Sequence, residues 1–93
     1  PEELARIFNP VNAESEGVFC FLIRNLQPAF LQIGELQLLS RHECYLLLDR
    51  RTSQAQIFFW IGSLASHDKK VSAAFRTVQL ASLIKGAVHQ REE

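Results

Sequence analysis

The sequence predicts an α/β fold of the α+β kind, a mixed sheet of about five strands with a long helix packed across one face. Three observations lead there. Residues 17–25, 44–49 and 55–62 are nearly unbroken apolar runs, and residues 66–87 carry apolar side chains at helical period. The third is length: 93 residues suffice for one domain around one core.

Taken in order, residues 1–16 read as a linker or short N-terminal segment. Leu4 and Ile7 suit a helical turn, which Pro10 stops. The run "GVFCFLIRN" starts at Gly17 and closes at Arg24-Asn25, and its aromatic and β-branched content favours a strand over a short buried helix. Pro28 marks the following turn, and residues 36–39 form a short candidate strand. "CYLLLD" and "AQIFFWIG" are two strands joined by the polar "RRTSQ", which makes a hairpin. Neither alternates, as expected of strands buried on both faces, so a helix is expected on each side. Trp60, near the end of a central strand, is expected to be largely buried with its N–H bonded. Gly62 is read as ending that strand before a tight crossover.

The helix has Ser66 as its N-cap and Asp68 at the positive end of its dipole. Ala73, Thr77, Leu80 and Ile84 recur on one face, with Ala74 and Val78 beside them, and Lys85-Gly86 supplies the stop. Lys69 is the odd member of the first turn, where a carboxylate is electrostatically better placed.

Composition excludes several functions. Ten Lys and Arg balance ten Asp and Glu, so the basic excess of a nucleic-acid-binding domain is missing. No apolar run approaches a membrane span and no signal peptide is visible. The chain opens at Pro1 without a Met, which reads as a piece of something longer. Cys20 and Cys44 sit inside apolar runs, where two buried free thiols in the cytosol are a better reading than one disulfide. "HEC", residues 42–44, brings together a base, an acid and a thiol. No oxyanion device accompanies it, so the chain is not read as an enzyme. His42, His67 and His89 lack zinc spacing.

The order of the motifs resembles the gelsolin/villin homology domain family. The residues that carry the resemblance are a strand ending in Trp60-Ile61-Gly62, a polar loop with Ala65-Ser66, a helix with Ala73-Ala74 and Thr77-Val78-Gln79-Leu80, and then "GAVHQRE". Upstream, the family opens a central strand with Gly-Asp-x-Tyr, and "HECYLLL" places Glu43 and Tyr45 on the acidic and aromatic positions. The resemblance covers residues 17–92. It implies a mixed sheet between a long helix and a shorter one, in domains that occur in tandem in proteins that sever, cap or bundle actin filaments, often under calcium control. Family domains continue past "VHQRE" into a further sheet segment and the short helix. Residues 17–93 are therefore expected as a gelsolin-like domain truncated at its C-terminal end.

The resemblance also implies sites. In the family one calcium ion is held by the acid of Gly-Asp-x-Tyr, by a Glu in the first turn of the long helix and by backbone carbonyls. Glu43 keeps the acid, but the helix Glu falls on Lys69, which supplies no oxygen and repels the ion. Glu43 and Lys69 are expected to pair instead, and His42 replaces the family's glycine. A second calcium position uses an Asp that here is Ala81, and Asp68 is the nearest remaining acid. Glu43 and Asp68 are thus remnants of calcium positions, and no cofactor is expected, calcium included.

For actin, the family docks the solvent-facing stripe of the long helix into a cleft. Counting along this helix gives Val71, Phe75, Gln79 and Ser82 as the stripe, with Arg76 beside it and Phe75 as the apolar anchor. The resemblance also implies phosphoinositide as a candidate, bound in the family through basic stretches, although here Lys69, Lys70, Arg76, Lys85, Arg50 and Arg51 are dispersed among neutral residues. The expected function is a gelsolin-like actin-binding or actin-regulating module of a larger multi-domain protein. It would be cytoplasmic and cytoskeletal, and in contact with neighbouring gelsolin-like domains. The alternative is a non-actin structural or protein-interaction domain, as in divergent, supervillin-like members.

Overall fold

β-branched and aromatic side chains suit a pleated, half-buried surface, and the apolar runs become strands accordingly. The computed structural model describes residues 2–12, 14–32, 39–52, 54–84 and 88–92. Its elements are α1 (Glu2–Ile7), β1 (Gly17–Arg24), β2 (Gln27–Leu31), β3 (Cys44–Arg50), β4 (Gln56–Ile61), α2 (His67–Leu83) and β5 (Val88–Glu92). The class is α+β. Four strands pair antiparallel in the order β2-β1-β3-β4, and β5 adds to the free edge of β4 in parallel. A parallel neighbour needs a crossover, and α2 supplies it.

The strands differ in part from those expected. Residues 27–31 form an edge strand where the sequence showed only a turn around Pro28. An edge position tolerates Pro28, because its missing N–H faces no ladder partner there. The candidate strand at residues 36–38 lies outside the described residues, and Leu39 is exposed. The segment "VHQRE" is a strand.

One face of the sheet carries the core. Phe21, Ile23, Cys44, Leu46, Leu48 and Ile57 point to it and are fully buried, packed against Ala73, Leu80 and Leu83 of α2 and Ile84 just beyond it. Residues 1–16, expected as a linker or short N-terminal segment, contribute α1 and two buried core residues, Phe8 and Val11. The Phe8 ring meets Phe21 edge-on at 5.5 Å, so both described helices lie against the same face.

The expectation of a helix on each side is therefore not met among the described residues. On the opposite face Cys20 and Tyr45 are buried, while Leu22, Leu47, Phe58 and Trp60 are half-buried. These side chains shelter one another across the strands. Trp60, expected in the core, instead lies beside Tyr45 at 5.7 Å. Cys20 and Cys44 are free buried thiols.

Gly62 has a firmer role than ending a strand. Its N–H donates to the Glu43 carbonyl at 2.9 Å, and the Leu64 N–H donates to the Arg41 carbonyl at 2.8 Å. A Cβ at Gly62 would lie 2.2 Å from the Arg41 carbonyl oxygen. Only glycine lets these two backbones approach so closely.

Candidate protein-docking surface

α2 begins where Ser66 Oγ accepts the Lys69 N–H at 3.2 Å, a side-chain cap on an otherwise unpaired helix donor. Its inner face is Ser72, Ala73, Thr77, Leu80 and Leu83, with the Thr77 hydroxyl donating to the Ala73 carbonyl at 2.8 Å. The outer face is less polar than usual. Val71, Phe75 and Val78 are 55%, 56% and 58% exposed, at spacings that put them on one stripe.

Ser82 is exposed and its hydroxyl donates back to the Val78 carbonyl at 3.2 Å. Arg76 and Gln79 are half-buried and bonded to each other, Nη1 donating to Oε1 at 2.7 Å. The Arg76 guanidinium also lies 5.4 Å from the centre of the Phe75 ring, within reach of a cation–π attraction. Gln79 thus orients an arginine rather than facing solvent freely.

Two members of this surface escaped the sequence reading. The sequence places Ala74 and Val78 beside the buried face, but both are exposed. Stricter use of the helical period finds Val78, since positions 71, 75 and 78 are i, i+4 and i+7. The second is Leu26, which is 47% exposed. It lies in the tight turn between β1 and β2, where Asn25 and Leu26 have φ of 51° and 63°. That conformation costs a leucine about 1–2 kcal/mol. The turn is held by α2: Ser72 Oγ donates to the Leu26 carbonyl at 2.7 Å, and Arg76 Nη2 does so at 3.4 Å. Leu26, Val71 and Phe75 line a shallow groove of about 490 Å³ with His67, Asp68, Ser72 and Arg76. No sequence signal announces a leucine in that conformation.

The calcium implied by the resemblance does not fit the residues present. Calcium takes about six to eight hard oxygen ligands. Beside Glu43 stands an ammonium: Lys69 Nζ is 2.6 Å from Glu43 Oε1 and 3.2 Å from the His42 carbonyl oxygen. Asp68 is exposed on the first turn of α2, and Ala81 offers no oxygen. Among the described residues, no three His, Cys, Asp or Glu side chains gather into a metal-binding group.

Nor do residues 42–44 assemble a reactive thiol. His42 is exposed, Cys44 is fully buried, and burial raises the Cys44 thiol above its ordinary range. Of the basic residues, Arg51 forms a forked pair with Asp49 at 3.0 and 2.9 Å, which holds the Asp49 carboxyl below its ordinary range. Lys69 is bonded to Glu43 and Arg76 to Gln79. Lys85 lies outside the described residues. No helix among the described residues is long and apolar enough to cross a membrane.

No family model matches the sequence, and no curated protein matches it. Solved structures do match, 68 chains in all. One is a chain of the crystal structure of the Thorarchaeota 2DGel3/rabbit actin complex, with a TM-score of 0.66 and 22% identity. The match covers 81% of this chain and 36% of that one, so this chain spans about a third of the length of its structural neighbour. At this identity the likeness speaks for the fold, and it is compatible with the gelsolin-like fold expected from the sequence.

Proposed function

We propose that this chain is a gelsolin-like actin-binding module of a larger, multi-domain cytoskeletal protein, and that it docks through the outer face of α2. The observation that carries this is the apolar stripe Val71, Phe75 and Val78, on a helix whose other face is fully committed to the core. Anchors at i, i+4 and i+7 are how an amphipathic helix lies in an apolar groove. Leu26 widens the stripe, and the half-buried Arg76 and Gln79 frame it with polar groups. The fold is shared with a chain solved in complex with actin, which supports actin as the partner. Docking of this kind needs no calcium ligands and no catalytic group. Calcium independence and the lack of an enzymatic activity belong to the same proposal. Phosphoinositide is the weaker reading, because three of the basic residues are already bonded within the domain.

The test is co-sedimentation and pyrene-actin assembly with wild-type protein and Phe75→Asp. Losing an interface anchor costs about 2 kcal/mol or more of affinity, some thirtyfold in Kd, with the fold unchanged by circular dichroism. Wild-type protein without actin affinity would sink the proposal and leave the non-actin interaction domain in its place. A docked neighbouring domain would then be the natural occupant of the stripe.

A further inference from the structure

The Lys69 ammonium stands where electrostatics alone would not put it. Lys69 is the third residue after the cap of α2, where the unpaired N–H groups make a positive end that favours carboxylates. What it faces resolves the oddity. The turn at residues 40–43 is held by a backbone bond from Glu43 to Ser40 at 3.1 Å and by the Ser40 N–H on the Tyr45 hydroxyl at 3.0 Å. The Gly62 N–H fixes the Glu43 carbonyl from the other side. This rigid turn presents the Glu43 carboxylate and the His42 carbonyl toward the head of α2, and Lys69 Nζ bridges both. Each side chain of the pair is about a third exposed, at 31% and 32%.

We infer that the Lys69 ammonium is a tethered cation that joins the 40–43 turn to the head of α2, doing permanently what a dissociable metal ion would do only when bound. The disagreement between the family's calcium position and these residues is thus a substitution in kind. Where the resemblance implies a carboxylate on the helix with a metal between, this chain carries an ammonium with nothing between. The junction is then closed at any calcium concentration, and this holds whatever docks on the outer face of α2. A single change should reverse it. Lys69→Glu would leave two carboxylates and the His42 carbonyl facing one another, an all-oxygen set that repels itself without a cation and suits calcium with one.

Thermal melts followed by circular dichroism in chelator, in millimolar calcium and in millimolar magnesium test this. Wild-type protein should melt at the same temperature in all three. Lys69→Glu should melt below wild type in chelator, and calcium should raise it by about 4 °C or more, the shift expected when an ion binds only the folded state. Lys69→Gln, which has neither cation nor carboxylate, should show no calcium response. A double-mutant cycle of Glu43→Gln with Lys69→Gln should show a coupling of about two- to fivefold in the unfolding equilibrium constant, equal in chelator and calcium. Calcium stabilisation of the wild type would overturn the inference, as would a zero coupling. So would a Lys69→Glu protein that ignores calcium, or that stays unfolded in its presence.

Discussion

Replacing Gly62 by alanine probes a close approach of two backbones. The added Cβ would lie 2.2 Å from the Arg41 carbonyl oxygen, 2.5 Å from its carbon and 2.6 Å from the Glu43 carbonyl oxygen. All three are backbone atoms, so no rotamer change relieves the overlap. Normal contact between such atoms begins near 3.4 Å, so the 41–43 segment must withdraw by about 1 Å. That withdrawal stretches two backbone hydrogen bonds, Gly62 to Glu43 at 2.9 Å and Leu64 to Arg41 at 2.8 Å. Each is worth about 1 kcal/mol net. Overpacking adds about 1–3 kcal/mol, while the stiffer unfolded chain returns about 0.4–1 kcal/mol. The expected loss is about 2–4 kcal/mol, against a total stability of roughly 5–14 kcal/mol for a domain of this size. In a thermal melt this lowers Tm by about 10 °C or more, and urea unfolding should show a lower midpoint at unchanged slope. A variant melting within about 3 °C of wild type would mean that the two backbones have room for a methyl group that this geometry denies them.

Leu80 is fully buried on the inner face of α2, so Leu80→Ala should cost about 2–5 kcal/mol by urea unfolding, while Val78→Ala, two residues earlier on the exposed face, should stay within about 0.5 kcal/mol. Equal losses at the two positions would show that the helix is rotated from the orientation described. Leu26→Gly removes the strain of a leucine at positive φ, so it should leave Tm unchanged or raise it while weakening docking on α2; a lower Tm would mean that Leu26 holds the turn by packing. Burial pushes the Cys20 thiol from its ordinary 9.0 up to about 11. The folded state therefore keeps its proton longer than the unfolded one, and stability is full below about pH 9 and declines between pH 9 and 11. Urea midpoints measured across that range should fall, and flat midpoints would show the thiol to be in contact with water.

Much of this fold was legible in the chain because it rests on local chemistry. The apolar runs at 17–25, 44–49 and 55–62 became the strands Gly17–Arg24, Cys44–Arg50 and Gln56–Ile61, and Ser66 capped the helix whose buried face includes Ala73, Thr77 and Leu80. Periodicity, capping and β-propensity act over a few residues, so they can be read without the fold. The exposure of Val71, Phe75 and Ser82 was legible for the same reason, whereas Gln79 is half-buried against Arg76 and the exposed place beside Phe75 belongs to Val78.

What could not be read depended on which backbones meet. The burial of Phe8 and Val11 follows from the place of α1 beside Phe21, and nothing in a Pro-interrupted, Glu-rich segment announces it. The half-buried setting of Trp60 follows from which sheet face the helices chose. A solid apolar strand is compatible with cover on either side, and both described helices took the side of Phe21 and Leu46. Leu26 became part of the candidate surface because Ser72 and Arg76, 46 and 50 residues away, hold its carbonyl in a turn that a leucine avoids. Gly62 likewise had its reason far upstream, in the carbonyls of Arg41 and Glu43. Sequence alone determined the elements, because their energies are set by near neighbours along the chain. Tertiary structure decided the faces, the strained turn and the glycine contact, because those energies arise only when distant segments meet.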